Sequence, residues 1–260
     1  MLEYRLSSMP ASLKKKLTGQ GINIIEEKFN QRKSWLLYVT SNIDRLLNRY
    51  EIDYIHQDIK DTGWDTLWRD YIKDGWLTDN VYFCFENKDF RDKRLSIQIN
   101  PALAFGTGGH STTQIAARLL ERVANRRTVL DIGTGSGILA ILASLTGAKK
   151  VFACDTDSVA IMNAKENTGL NSRDNIYLWT GGIESFAVKS KPSVVVANII
   201  SSVLKCLHPY VLALNPEYII YSGLTLKEKD KFFSSIPTKG YKPDEILVIN
   251  EWCGIRFKMI

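Results

Sequence analysis

Residues Val129–Gly137 read VLDIGTGSG, and this stretch decides the fold. A short apolar run, Thr128–Ile132, precedes three glycines at alternate positions, and residues Ser136–Leu145 then carry apolar side chains at helical spacing. Glycine allows a tight turn and the close approach of a ligand to the main chain. The stretch therefore predicts a buried strand, a ligand-binding turn and a helix.

Strand-like and helix-like segments alternate from this stretch to the end of the chain. The expected strands are Val151–Asp155, Ile176–Thr180, the β-branched Val194–Asn198 and Tyr218–Tyr221, and the expected helices are Ser158–Thr168 and Ile200–Leu214. The last two strands, Glu245–Ile249 and Trp252–Lys258, are expected to form a terminal antiparallel hairpin. The sequence predicts an α/β fold with a mostly parallel, Rossmann-like sheet.

The first part of the chain is less regular and predicts a small α+β domain over residues 1–55. Its expected elements are a helix at Leu13–Leu17, a strand at Trp35–Thr40 and a helix at Asn42–Asn48. The polar residues 56–63 are expected to form a linker, and residues 64–260 the larger domain. Residues 1–60 hold ten Lys or Arg against seven Asp or Glu. This basic excess suits an acidic or RNA-bearing partner, although an uneven solvated surface explains it equally well.

The glycine turn and a downstream acid predict a nucleoside-binding site. Gly133 and Gly135 belong to a Gly-x-Gly-x-Gly pattern, which differs from the Gly-x-Gly-x-x-Gly of pyrophosphate-binding folds. Asp155 follows Gly133 by 22 residues, at the end of the next strand, where a carboxylate accepts hydrogen bonds from both ribose hydroxyls. A nucleoside without phosphates, such as S-adenosylmethionine, fits this pattern better than a nicotinamide cofactor.

A second glycine-rich segment, NPALAFGTGGHSTT, occupies residues 100–113. Three glycines within four residues favour a loop that lies against a ligand. We expect Thr107 to hydrogen-bond the methionine end of the cofactor. Ser111–Thr113 are candidate caps for a helix that continues to Asn125. His110 is interpreted as a polar cap or loop anchor, with contact to a substrate as the alternative.

Asn198 ends the predicted strand VVVAN and is the candidate catalytic residue. Strand ends at this edge of a doubly wound sheet face the ligand crevice. An attacking amine must be neutral, with its lone pair directed at the methyl carbon, and carboxamide and carbonyl oxygens can hold its hydrogens in that orientation. The alternative is an asparagine that merely ends a strand.

Composition excludes several other classes of protein. The four cysteines and three histidines are scattered without metal-ligand spacing, so we expect no metal site and reduced thiols. No apolar stretch reaches the about 18 residues of a membrane span, and the first residues lack a signal-peptide core. We therefore expect a cytoplasmic protein without membrane contact.

Several segments together resemble the PrmA family, the bacterial methyltransferases of large-subunit ribosomal protein eleven. The matching segments are WDTLW at Trp64–Trp68, the 100–113 block, the glycine turn through Asp157, and VVVANII. The resemblance implies a class I methyltransferase that uses S-adenosylmethionine, with Thr107, Gly133, Asp155 and Asn198 at cofactor-binding positions. It also implies methylation of lysines and the N-terminal amine of that ribosomal protein, which the N-terminal domain recognises.

The sequence departs from related enzymes at some positions and leaves alternatives open. Thr180-Gly181-Gly182 lacks the acid that many methyltransferases place near the adenine, so adenine contacts are expected from the main chain or from apolar side chains such as Ile183. Nucleic-acid amino-methyltransferases usually carry an aromatic residue shortly after the asparagine, to stack on a flipped base, whereas Asn198 precedes two isoleucines. We therefore expect no sequence-specific nucleic-acid binding. A lysine methyltransferase of another protein, and a cofactor-binding assembly factor with little turnover, remain alternatives.

Overall fold

The computed structural model describes residues 2–19, 24–29, 32–39, 42–58, 74–85, 95–100, 106, 108–186 and 191–260. The chain divides into two compact units, Met1–Ile72 and Lys73–Ile260. This division falls after the predicted linker, residues 56–63. The Trp64–Trp68 stretch lies outside the described residues.

The N-terminal unit is a small α+β structure. Its described elements are β1 (Leu2–Leu6), α1 (Ala11–Gly19), β2 (Ile24–Phe29), β3 (Arg32–Val39), α2 (Asp44–Arg49) and β4 (Tyr54–Asp58). Neighbouring strands pair antiparallel in the order β2-β3-β1-β4. Leu13 and Leu17, about one turn apart on α1, are fully buried with Tyr4 and Leu37 of the sheet. The apolar face of α1 therefore covers one side of this small core, as its amphipathic spacing predicts.

The prediction that residue 56 begins a linker is wrong. His56–Asp58 are the last residues of β4 and pair with Leu2–Tyr4 of β1. The ring of His56 lies 5.0 Å from that of Tyr4, and its Nδ1 lies 3.4 Å from a carboxylate oxygen of Asp44. β4 is the last strand in the sheet order, and polar residues are common in a strand with a solvated face. Their polarity does not distinguish an edge strand from a linker.

The C-terminal unit contains the predicted α/β sheet. Its described elements are β5 (Gly75–Trp76), β6 (Val81–Cys84), β7 (Leu95–Gln98), α3 (Ser111–Ala124), β8 (Thr128–Ile132), α4 (Ile138–Leu145), β9 (Lys150–Asp155), α5 (Ser158–Leu170), β10 (Ile176–Thr180), a 3₁₀ turn (Ile183–Ser185), β11 (Val194–Asn198), α6 (Ser201–Ala213), β12 (Tyr218–Thr225), α7 (Leu226–Ser235), β13 (Tyr241–Ile249) and β14 (Trp252–Met259). Among the described residues, seven strands form a sheet in the order β10-β9-β8-β11-β12-β14-β13. β10, β9, β8, β11 and β12 pair parallel, and β14 runs antiparallel to both of its neighbours. A small sheet, β5-β6-β7, accompanies it.

β11 is buried on both faces, which confirms the interpretation of its β-branched run. Val194 and Val196 belong to one apolar cluster, which includes side chains of α3 and α4. Val195 and Ala197 belong to a second cluster, which includes side chains of α6 and α7. All four residues are at most 1% exposed. Helices on both faces therefore hold the central strand in place, as expected for a doubly wound sheet.

The terminal hairpin is also confirmed, with β13 longer than expected by four residues and β14 by one. Asn250 and Glu251 connect β13 to β14, and Asn250 has a φ of 54°. β13 begins at Tyr241 rather than at Glu245, because the register shifts between Pro243 and Glu245 and pairing continues beyond the shift. Such a bulge interrupts the alternation of side chains from which a strand is predicted.

His208 is a buried histidine on α6 whose ring nitrogens both have partners. Its Nε2 lies 2.8 Å from the carbonyl oxygen of Pro237, which can only accept a hydrogen bond, so Nε2 carries the proton. Its Nδ1 lies 3.0 Å from the hydroxyl of Tyr221 and accepts from it. Burial lowers the pKa of His208 below its ordinary value. The folded protein therefore holds this imidazole neutral.

We expect His208 to make the stability of the protein depend on pH on the acidic side of neutrality. In the unfolded chain its pKa is about 6.5, so below that pH the unfolded state takes up a proton that the folded state resists. The stabilisation is present above this pH and is lost as the pH falls through the folded pKa. Between pH 7.5 and pH 5, the free energy of unfolding measured in urea should fall more steeply for the wild type than for His208→Gln. Parallel pH profiles for the two proteins would contradict this role.

Candidate active site

The glycine turn after β8 is fixed to the end of β9 by main-chain hydrogen bonds. The N–H groups of Gly133 and Thr134 donate to the carbonyl of Cys154 at 2.8 and 2.9 Å. Gly133, Gly135 and Gly137 all have positive φ, at 71°, 55° and 82°. L-residues with side chains rarely adopt this conformation, so the turn requires glycine. α4 begins at Ile138, two residues later than predicted, because Gly137 is its left-handed N-cap.

Asp155 occupies the end of β9, where the sequence predicts a ribose-binding acid. Its Oδ2 accepts from the N–H of Gly135 and its Oδ1 from the N–H of Asp157, both at 3.0 Å. These two bonds fix the plane of the carboxylate. Each oxygen has two lone pairs, so one acceptor position remains on each for a neighbouring pair of hydroxyls.

A cavity of about 260 Å³ opens at the carboxyl ends of the central strands. Its lining comes from the ends of β8, β9, β10 and β11 and from α6: Ile132, Gly133, Gly135, Cys154, Asp155, Thr156, Gly181, Gly182, Ile183, Asn198, Ile199, Val203 and Leu207. The lining includes four predicted site residues: Gly133, Gly135, Asp155 and Asn198. Ligands of open α/β sheets bind at this edge, where the strand order reverses between β9-β8 and β11-β12.

The two glycine-rich segments contact each other. The hydroxyl of Ser136, in the turn after β8, donates to the carbonyl of Gly106 at 2.6 Å. Gly108 has a φ of 101°, and a Cβ at this position would lie 2.9 Å from the ring of Phe83. The upstream segment is therefore held against the turn on one side and packed against β6 on the other. Thr107, the predicted contact for the methionine end of the cofactor, lies outside the described residues.

His110 caps α3, in place of the predicted Ser111–Thr113. Its Nδ1 accepts from the N–H of Thr112 and lies 2.7 Å from the hydroxyl of Thr112. Its ring also meets that of Trp252 edge to face, with centroids 5.1 Å apart. These contacts agree with a loop anchor rather than with a substrate-binding group.

Asn198 lies at the end of β11, and one of the two polar atoms of its carboxamide is hydrogen-bonded. Its Nδ2 donates to the hydroxyl of Thr113 on α3 at 3.2 Å. Its Oδ1 is buried and has no hydrogen-bond partner among the described residues. A buried acceptor without a partner is uncommon and costs about 1–3 kcal/mol, which makes this oxygen a candidate acceptor for a ligand hydrogen.

Two glycines pack closely against Ile199, the residue after Asn198. A Cβ at Gly223 would lie 2.4 Å from the carbonyl oxygen of Ile199, and a Cβ at Gly133 would lie 2.7 Å from the Ile199 side chain. Both glycines have positive φ. The turn after β8, the end of β11 and β12 therefore pack so closely that side chains are excluded between them.

Asp131 is a buried acid behind the glycine turn that the sequence analysis did not single out. It is fully buried on β8, two residues before Gly133, and is not among the described residues that line the cavity. Its Oδ2 accepts from the hydroxyl of Thr134 at 2.7 Å, while its Oδ1 has no partner among the described residues. Burial raises its pKa to about 7, and the negative charge of Asp155 adds to the shift. The detectable signal was an acid inside an otherwise apolar strand, next to a ligand loop.

The sequence analysis also missed two apolar side chains of α6 that line the cavity. Val203 and Leu207, about one helical turn apart, line the cavity together with Ile183 of the 3₁₀ turn. Their spacing is visible in the sequence, but it is also the spacing of any core-facing helix. Only the fold shows that these two side chains reach the cavity rather than the core alone.

The described residues contain no group of three or more His, Cys, Asp or Glu arranged to hold a metal ion. Among the same residues, we find no helix with the length and apolar character required to cross a membrane.

The sheet order, the antiparallel β14 and the cavity at the strand ends define the fold as that of the class I methyltransferases. The family model "Ribosomal protein L11 methyltransferase (PrmA)" matches residues 13–259. The chain therefore belongs to the ribosomal protein L11 methyltransferase family.

Relatives and a solved structure support this assignment. The chain is 38% identical over 206 residues to the ribosomal protein L11 methyltransferase of Acetivibrio thermocellus, covering 77% of this chain and 65% of the relative. It is 37% identical to that of Clostridium botulinum strain Eklund 17B, covering 77% and 66%. The chain thus spans just under two thirds of the length of these relatives. The crystal structure of the ribosomal protein L11 methylase of Lactobacillus delbrueckii subsp. bulgaricus matches 72% of this chain and 99% of that one, with 30% identity and a TM-score of 0.66.

Proposed function

We propose that the protein is an S-adenosylmethionine-dependent methyltransferase that methylates lysine and N-terminal amines of a large-subunit ribosomal protein. The observation that carries this proposal is a single cavity lined by both the Asp155 carboxylate and Asn198. Membership of the L11 methyltransferase family supports the choice of substrate.

The cavity offers complementary contacts for each part of the methyl donor. The two free acceptor positions on Asp155 fit the ribose hydroxyls. Val203, Leu207 and Ile183 provide apolar surface for the adenine, in place of the acid that Thr180–Gly182 lacks. Gly133 and Gly135 allow the donor to lie against the main chain, and Thr107 is proposed to bind its methionine end.

When bound, S-adenosylmethionine would supply the methyl group of its sulfonium. A neutral amine would form a bond to that carbon as the S–CH3 bond breaks, and S-adenosylhomocysteine would leave. Asn198 is the residue that would orient the amine, because its unpartnered Oδ1 can accept an N–H hydrogen and leave the nitrogen lone pair free. The bond from Nδ2 to Thr113 fixes the carboxamide in this orientation. Among the described lining residues, only Asp155 and Cys154 carry an acidic side chain. Asp155 is assigned to the ribose and burial raises the pKa of Cys154 to about 12, so the amine is proposed to lose its proton to solvent before it docks.

The N-terminal part of the chain is proposed to recognise the protein substrate. The described residues that line the cavity all lie between Ile132 and Leu207. Residues 1–55 form most of a separate compact unit with its own buried core. The basic excess in residues 1–60 suits a substrate that is acidic or bound to RNA.

Labelled S-adenosylmethionine, incubated with the protein and total large-subunit ribosomal proteins, tests the proposed function. We expect one ribosomal protein band to take up label on amines. Label on another protein would favour the alternative lysine methyltransferase. Binding of the donor without any transfer would favour an assembly factor.

We predict that Asp155→Ala weakens the binding of S-adenosylhomocysteine by about 2–3 kcal/mol, since hydrogen bonds to a charged group are lost. Asp157→Ala is the matched control, because Asp157 is a nearby carboxylate that caps α5 and does not line the cavity. Calorimetry on both folded variants measures the difference. Equal affinities for Asp155→Ala and wild type would remove Asp155 from the site.

We predict that Asn198→Ala lowers the methylation rate at saturating donor by at least about tenfold, while donor affinity falls less. Orientation of the amine acts on the transition state more than on donor binding. Single-turnover rates and donor titrations separate the two effects. A loss confined to donor affinity would make Asn198 a binding residue only.

We predict that a shortened chain beginning at Lys73 binds S-adenosylhomocysteine but methylates the ribosomal protein at least about tenfold more slowly than the full chain. The physical reason is the loss of effective concentration that a substrate-holding unit provides. Initial rates at low substrate concentration measure this loss. Equal rates for the two chains would leave residues 1–55 without a recognition role.

A further inference from the structure

Three asparagines, two on α5 and one at its C-cap, form a row at the edge of the small sheet. Asn163, Asn167 and Asn171 are spaced four residues apart, so their carboxamides lie on one face of the helix. Asn167 is fully buried. All three hydrogen-bond to the main chain of Gln98 or Asn100, at and just beyond the end of β7.

Two of these side chains pair with the main chain as a neighbouring strand would. Asn171 accepts from the N–H of Gln98 at 2.9 Å and donates to its carbonyl at 2.6 Å. Asn167 accepts from the N–H of Asn100 at 2.7 Å and donates to its carbonyl at 3.3 Å. Residues two apart in an extended chain present these groups to the same side, so the asparagines satisfy an edge that would otherwise lack partners.

Asn167 differs from Asn171 because it also contacts the glycine turn. Its Nδ2 donates to the carbonyl of Ser136 at 2.8 Å. The hydroxyl of Ser136 in turn donates to the carbonyl of Gly106. The bonds therefore form a continuous series, Asn100–Asn167–Ser136–Gly106, which joins the turn after β8 to both Asn100 and Gly106 of the upstream glycine-rich segment.

We propose that Asn167, acting through Ser136, is a positioning residue for the methyl-donor site. It fixes the glycine turn relative to Asn100 and Gly106, so that the turn presents a preformed surface to the donor. A preformed turn avoids the cost of ordering it when the ligand binds. The identity of the ligand rests on the proposed function.

Comparison with Asn171 distinguishes a role of Asn167 in positioning the donor site from a role only in stabilising the fold. Asn171 lies one turn further along the same helix face and has the same kind of paired bonds to Gln98, but no hydrogen bond joins it to the glycine turn. A residue that only held β7 to α5 would behave as Asn171 does. Asn171 is therefore the matched control.

The test compares Asn167→Asp with Asn171→Asp. Aspartate has nearly the same shape and keeps the acceptor for the strand N–H, but it loses the amide hydrogens and places a carboxylate oxygen against carbonyls. Both variants are expected to unfold at lower temperature than the wild type. Calorimetry with S-adenosylhomocysteine should show an affinity at least tenfold weaker for Asn167→Asp and within threefold of wild type for Asn171→Asp. At saturating donor the turnover of Asn167→Asp should be within threefold of wild type, so its effect appears in the donor KM.

Ser136→Ala provides a second variant that removes only the side-chain bond to Gly106, and we expect it to weaken donor affinity by at least threefold. It keeps the proposal testable if Asn167→Asp does not fold. An unchanged affinity for Asn167→Asp, equal losses for the two aspartate variants, or an unchanged affinity for Ser136→Ala would overturn the positioning role. If the wild type binds S-adenosylhomocysteine, each of these results leaves the proposed function standing. If the wild type does not bind it, both proposals fail.

Discussion

The hydrogen bond from the Gly135 N–H to the Asp155 carboxylate is the interaction on which the candidate site depends. It ties the turn after β8 to the end of β9, where the N–H groups of Gly133 and Thr134 also bond to Cys154. These bonds require positive φ at the glycines, and only glycine adopts this without strain. The same bond orients the Asp155 carboxylate, so one contact shapes the turn and presents the acid to the cavity.

The rest of the site follows from how closely the neighbouring elements approach this turn. Ile199 packs against Gly133 on one side and Gly223 on the other, which fixes the end of β11 and with it Asn198. On the opposite side, Ser136 links the turn to Gly106 and to Asn167. The parallel sheet thus carries the turn after β8 and the end of β11 at its carboxyl edge, and the packing of Ile199 together with the hydrogen bonds of Ser136 fixes their positions.

Much of this architecture is visible in the sequence, because it is encoded locally. The strand, glycine turn, helix and acid from Thr128 to Asp155 occupy consecutive residues, and the terminal hairpin shows its own alternation. What the sequence does not reveal depends on contacts between distant residues. Nothing local indicates that Asn167 reaches Asn100, 67 positions earlier, or that the polar residues His56–Asp58 pair with β1. The cavity-facing Val203 likewise becomes recognisable only when the sheet and helices are assembled.

We propose that a methyl donor binds at the carboxyl edge of the sheet, between Asp155 and Asn198. A crystal structure of the full chain with S-adenosylhomocysteine tests this binding site most directly. We predict both ribose hydroxyls within about 3 Å of the Asp155 carboxylate oxygens. We also predict the adenine against Val203 and Leu207, and the sulfur on the side of Asn198. A nucleoside bound elsewhere, or one in this cavity without contact to Asp155, would contradict this binding site.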